Sequence, residues 1–199
     1  MVTRPKKSTP MPKPKQAIDG LEEVQQLNRL FLNFLQDRPA TGQRFFGLPA
    51  DAARAVGRAS RERLDQLAQF PRALFTIDLR VDGQAGHEAL DTAQRVLQLT
   101  LLLSAWNLSR RSGYSSRLLL RLEDAEIRRL RTMSLADLTE RSQTPGLIRC
   151  TFGRAAWLWR DLLAETRPEW RRRLLLIGLQ PETPRLRGLR ADARLSASL

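Results

Sequence analysis

The chain has 199 residues, 42% of them hydrophobic, and a formal net charge of +13. It is long and apolar enough for one medium domain or two small ones, which excludes wholesale disorder. One cysteine, Cys150, and one histidine, His87, exclude an intramolecular disulfide, a cysteine zinc site and the usual nucleophilic triads.

The acids are scattered among arginines as on solvated helix faces, so the chain is expected not to be an enzyme and to carry no cofactor or metal. The longest apolar run, 96–108, is broken by Gln98, Thr100 and Ser104 and is too short to span a bilayer. Without the apolar stretch of a secretory signal, a cytoplasmic location is expected. Positive charge invites an anionic partner. Residues 1–16 and 181–199 nevertheless hold seven of the thirteen net charges, and beyond Lys15 every lysine or arginine is an arginine. A GC-rich genome produces the same bias, so charge supports nucleic-acid binding without deciding it.

Residues 1–17 are Pro- and Lys-rich and read as a disordered tail, either adding phosphate affinity or simply solubilising the chain. A first unit is expected over 18–82 and a second over 83–152, followed by a helical segment at 153–180 and a flexible tail at 181–199. Helical spacing predicts a helix from Leu21 to Gln36 and another over 97–110. Pro49-Ala50-Asp51 and Glu123-Asp124 suit helix starts, and Ser60 and Ser134 suit N-caps. The capped helices present Leu64 and Leu67 inward in the first unit, and Leu135 and Leu138 in the second. Pro71 and Pro145 end them.

A strand is predicted after each proline. Phe75, Ile77, Leu79 and Val81 alternate with polar residues, and Ile148, Cys150 and Phe152 repeat the pattern after a one-residue slip. Such an edge strand is open to pairing with another chain. Cys150 itself reads as a small buried hydrophobe.

These matches amount to an internal duplication. At an offset of 74, Leu48 meets Leu122, Arg54 meets Arg128, Ser60 meets Ser134, Leu64 meets Leu138, Gln69 meets Gln143 and Pro71 meets Pro145. The same register carried upstream pairs Asn33 with Asn107 and Phe34 with Leu108. The expected fold is therefore mainly α: two tandem helical units, each with a helix-turn-helix-like core and a short terminal β-strand, plus a C-terminal amphipathic helix at 155–165. There Trp157 and Trp159 are two apart and point to different faces.

The stretch RSGYSSRLLLRL (111–122) fits a helix-turn-helix with Gly113 in the turn, Ser109 at the crowded crossing, and Leu119 and Leu122 as anchors. Ser115, Ser116, Arg117 and Arg121 are then expected to face outward, where such residue types contact phosphates or guanine edges, with Arg110 and Arg111 beside them. The first unit offers Thr41, Gln43 and Arg44 at the equivalent place, with Pro39 where the second has its glycine. The alternative is two packed helical repeats whose arginines cover apolar surface with their stems.

The run FFGLPADAARAVGRASRERLDQLAQFPRALFTIDL, with the upstream helix VQQLNRLFLNFL, resembles the FlhD family of flagellar transcriptional activators. Leu48, Ser60, Leu64, Leu67, Ala68, Phe75, Ile77 and Leu79 carry the resemblance over roughly 21–81, and it recurs over 95–152. GYSSRLLLRL also resembles the helix-turn-helix stretch of the partner protein FlhC, although this chain lacks the cysteines of FlhC zinc sites. The resemblance implies an oligomeric activator that binds promoter DNA with an FlhC-like partner and recruits RNA polymerase. The competing expectation is a cytoplasmic interaction scaffold, for example in a secretion apparatus, using Trp157, Trp159, Phe75 and Ile77 to bind a partner.

Overall fold

The computed structural model describes residues 18–38, 45–81 and 90–151, together with 159, 162 and 163. Helix α1 (Leu21–Gln36) buries Val24, Leu27, Asn28, Phe31, Leu32 and Leu35, the stripe expected of a helix lying on a core. Gly20 caps it with φ 83°, and a Cβ there would come within 2.5 Å of Leu108 Cδ1, so only glycine suits the place. A 3-10 turn at Phe45–Gly47 leads to α2 (Ala50–Arg58) and α3 (Arg61–Ala68), and the Ser60 side chain caps α3 by accepting from the Arg63 N–H. Strand β1 (Phe75–Ile77) ends the first half.

In the second half, α4 (Thr92–Arg111) begins five residues before the predicted start, because Asp91 and Gln94 build a capping box. Then follow α5 (Gly113–Leu120), α6 (Asp124–Thr132), α7 (Leu135–Arg141) and β2 (Ile148–Cys150). Ser134 caps α7 as expected. Leu138 is buried, but Leu135 is 61% exposed: α7 is only two turns long and reaches the core through its second turn. The fold is mainly helical, with seven α-helices and a two-stranded sheet among the described residues. Among them no helix is long and apolar enough to cross a membrane.

Strand β1 pairs with β2, antiparallel, with Phe75 opposite Cys150, Thr76 opposite Arg149 and Ile77 opposite Ile148. Phe75 and Ile77 are the buried faces of β1 and Ile148 and Cys150 those of β2, so the alternation expected in each strand is present. Leu79 is buried beyond the ladder, and Cys150 is buried as expected.

Two buried side-chain amides fix where these strands begin. Asn28 Nδ2 donates to the carbonyls of Ala68 (3.3 Å), Phe70 (3.3 Å) and Arg72 (2.9 Å), and its Oδ1 accepts from the Leu74 N–H at 2.8 Å. Gln98 Nε2 donates to the carbonyls of Ser142 (3.0 Å) and Thr144 (3.4 Å), and its Oε1 accepts from the Ile148 N–H at 3.2 Å. The backbone partners Ala68 and Ser142, Phe70 and Thr144, and Leu74 and Ile148 keep the 74-residue offset, whereas Asn28 and Gln98 stand 70 apart. Burial agrees: Leu27, Asn28, Phe31, Leu32 and Leu35 on α1 answer to Leu97, Gln98, Leu101, Leu102 and Ala105 on α4. The pairing of Asn33 with Asn107 and Phe34 with Leu108 therefore does not hold. From Gln98 to the start of α6 the second half has four residues more than the first has from Asn28 to the start of α2, and this interval contains α5.

One core joins the halves. Phe31 packs against Phe46 (5.6 Å between centroids) and Phe75 (5.7 Å), and Trp159, Leu162 and Leu163 close onto the same cluster. Arg38 at the end of α1 pairs with Asp91, and Arg111 pairs with Glu23. The Leu79 carbonyl accepts from Arg129 Nη1 (2.8 Å) and from Arg141, tying the exit from β1 to α6 and α7.

Removing one clamp strands several buried backbone groups. Asn28→Ala should lower stability by about 3 kcal/mol, read as a smaller urea midpoint with little change in slope.

Asp91 supplies a second test. Its hydrogen bond with Arg38, outweighing burial, holds its carboxyl below the usual carboxylate range. The folded form therefore has the lower pKa, so the contribution is complete above that range and is lost as pH falls through it. Asp91→Ala should cost about 1 kcal/mol at neutral pH through the lost cap. The difference from the parent should shrink at about pH 3, measured by urea denaturation at both pH values.

Candidate nucleic-acid interface

The junction between α4 and α5 is a single residue. Ser112 has φ −148° and ψ 104°; its N–H donates to the Leu108 carbonyl at 2.8 Å, and its Oγ accepts from the Ser115 N–H at 3.1 Å. One serine thus closes α4 and caps α5. The helices cross through small residues: Ser109 Oγ donates to Ser116 Oγ at 3.1 Å, and Ser116 Oγ donates to the Ser112 carbonyl at 3.1 Å. Arg131 Nε on α6 donates to the Ser109 carbonyl at 2.6 Å and braces the crossing. Ser109 thus holds the crowded position expected for it, and Leu119 and Leu122 are buried anchors.

Two expectations are corrected. Gly113 is not a turn residue of positive φ but the first residue of α5, where a Cβ would stand 3.1 Å from Arg131 Nη2. Ser115 and Ser116 do not face outward. Both are buried, because a one-residue junction turns that side of α5 into the crossing with α4.

What remains outside is an edge made of the exposed Tyr114 and Arg117, three residues apart, with the half-buried Arg121 at its end. Tyr114 is 71% exposed. Arg117 is exposed and pairs with Asp124. Arg121 is the left-handed cap of α5, with φ 61° and its N–H directed to the Ser116 carbonyl. Arg110 and Arg111 end α4, where positive charge suits the helix dipole. The Arg110 guanidinium lies 4.7 Å from the centre of the Trp106 ring, and Arg111 pairs with Glu23. Arg117 and Arg121 thus share one helix edge, while the pair on α4 already serves its own surface.

Thr41, Gln43, Arg44 and Trp157 lie outside the described residues. Phe75, Ile77 and Trp159 do not form an exposed partner surface: all three are buried, the first two in the β1–β2 ladder and the third in the common core. Exposed apolar side chains stand elsewhere, notably Val96 at 60% on α4 and Leu135 on α7. Between them run the half-buried Leu103 and Trp106, whose Nε1 donates to the Met133 carbonyl at 3.1 Å.

Two residues of the interface escape sequence reasoning. Tyr114 is one, although its spacing of three from Arg117 marks it as a neighbour on one helix face. Arg72 follows Pro71, in a stretch whose second-half counterpart is Gly146, and no periodicity marks it. The Ala73 N–H beside it donates to the Leu119 carbonyl at 2.8 Å, which fastens this stretch to α5.

Comparison of the chain with family models, curated protein sequences and solved structures gives no match.

The geometry separates support from surface. Ser116→Val removes two buried hydrogen bonds at a crossing without spare volume and should cost about 2 kcal/mol in urea denaturation. Arg117→Ala breaks only an exposed ion pair and should change stability by less than about 0.5 kcal/mol.

Proposed function

We propose that this chain is a non-enzymatic, DNA-binding transcriptional activator of the FlhD type, in which one polypeptide carries two FlhD-like units. The observation that carries the reading is the edge of Tyr114 and Arg117, both exposed, continued by the half-buried Arg121 at the helix cap and presented by a short helix braced on the small-residue crossing with α4. Arginine supplies charge and paired donors for phosphate oxygens or a guanine edge, and tyrosine adds a hydroxyl and a stacking face. Arg110 and Arg111 stand as further phosphate contacts at the end of α4. The tandem organisation is supported by the two amide clamps and by α2 and α6, whose starts and ends keep the 74-residue offset. In this reading the chain acts in the cytoplasm with an FlhC-like partner, recruits RNA polymerase, and serves promoters of flagellar, secretion or conjugation genes.

A second reading, an interaction scaffold, draws on the exposed Val96 and Leu135 beside Leu103 and Trp106. Gel shifts with promoter and random duplexes at physiological salt separate the two. Absence of any shift, alone or with a co-expressed partner, favours the scaffold. For the activator, Arg117→Ala combined with Arg121→Asn, a residue that tolerates positive φ, should weaken duplex binding and flatten its salt dependence by about two counterions. An unchanged footprint and salt slope in that variant would remove this edge from the DNA site.

A further inference from the structure

Where the chain leaves β1, one backbone oxygen gathers two cations. The Leu79 carbonyl accepts from Arg129 Nη1 on α6 at 2.8 Å and from Arg141 Nη2 at the end of α7. Sharing one acceptor holds the two donating nitrogens within about 6 Å of each other, the span of two hydrogen bonds. Neither arginine belongs to an ion pair among the described residues. The acids of this corner, Asp78 and Glu123, serve other arginines. Glu123 pairs with Arg80 at 2.5 Å, while Asp78 accepts from the Arg80 N–H at 3.1 Å and stands 3.7 Å from Arg149 Nη2. Arg129 is exposed, whereas Arg141 is half-buried and its Nε is sealed from solvent without a hydrogen-bond acceptor.

The fold itself does not call for guanidiniums at these places. At the 74-residue offset Arg129 answers to the half-buried Ala55 on α2, and Arg141 to the buried Leu67 on α3. The first half thus packs the same two helix positions without charge. A carbonyl dipole orients two guanidiniums but does not neutralise them, and the hydration that Arg141 gives up is not replaced. An anion that completes the corner must bring charge for two guanidiniums and oxygens for two forks. A tetrahedral phosphoryl group brings both, whereas a lone carboxylate offers one charge and two oxygens. We infer that Arg129 and Arg141 form a seat for a phosphate-class oxyanion at the exit from β1. A nucleic-acid backbone and a free phosphate compound offer the same chemistry. The first source rests on the DNA-binding reading above; the seat itself does not.

The test follows thermal unfolding of the full chain in inorganic phosphate against sodium chloride of equal ionic strength. Four proteins are compared: the parent, Arg129→Gln, Arg141→Leu, which takes the residue of the first half, and Arg128→Gln as an exposed control with the same change of charge. Phosphate should raise the melting temperature of the parent and the control in a saturable way, beyond the general stabilisation common to all four. Both seat variants should need about tenfold more phosphate for the same gain. Equilibrium dialysis of labelled inorganic phosphate against the folded proteins should give the same order, so a variant that melts early still reports. Arginines that only brace the carbonyl would lower the melting temperature in chloride and leave the phosphate response unchanged. That result, or no saturable uptake by the parent, would overturn the seat.

A labelled duplex then identifies the source. Binding about tenfold weaker in Arg129→Gln, with the salt slope reduced by about one, assigns the seat to the nucleic-acid backbone. Unchanged duplex binding beside a lost phosphate response assigns it to a free phosphate compound. If the parent binds no duplex at all, the DNA reading fails while the dialysis still decides the seat.

Discussion

A side-chain amide shut away from water must find hydrogen-bond partners for its own donors and acceptor, and the chain around Asn28 is arranged to provide them. Three carbonyls from the last residue of α3 and the turn after it point at Nδ2, and the N–H just before β1 points at Oδ1. An irregular turn could not otherwise be buried, because its backbone groups would be left unpaired. Gln98 meets the same requirement after α7. With both turns held against the long helices, the strands start at defined residues and meet in a single register. The paired strands in turn bring Phe75, Ile77, Ile148 and Cys150 together over Phe31. Packing alone would tolerate sliding of such short strands; the directional bonds of the amides do not.

The halves differ where the candidate interface lies. The second half has four more residues between its buried amide and α6 than the first has between its own and α2, and it forms α5 in that interval. Ser109, Ser112 and Ser116 are small enough for α5 to lie across the end of α4. One face of α5 is consumed by that crossing, so its remaining edge is narrow and polar. Tyr114 and Arg117 stand exposed on it, with Arg121 half-buried at its end.

How far the sequence discloses this arrangement depends on the kind of information each feature uses. Helix α1 and the caps Ser60 and Ser134 are local matters of spacing and capping, and they lie where the residues say. The inward face of each strand follows from alternation alone. The offset of the first helices was hidden because α4 is apolar on nearly every side, so sliding it by one turn leaves the hydrophobic pattern almost unchanged. Asn28 and Gln98 mark the register, yet an isolated amide in a helix looks like any surface residue until its distant partners are known. Ser115 and Ser116 were misread for a related reason: serine suits both a solvent face and a close helix crossing, and only the length of the junction decides. The docking of residues 71–73 against α5 lies beyond local reasoning altogether, since it is set by a backbone bond between residues 73 and 119.

The sheet has a consequence for assembly. Thr76 faces Arg149 within one chain, so the contact forms at a local concentration set by the connecting polypeptide and survives any dilution. Two separate copies meeting across the same strands would obey mass action and would have to place identical residues on both sides of the seam. Covalent linkage lifts both obligations. A substitution in one strand need not be matched in the other, so each half is free to drift toward its own task while the seam holds.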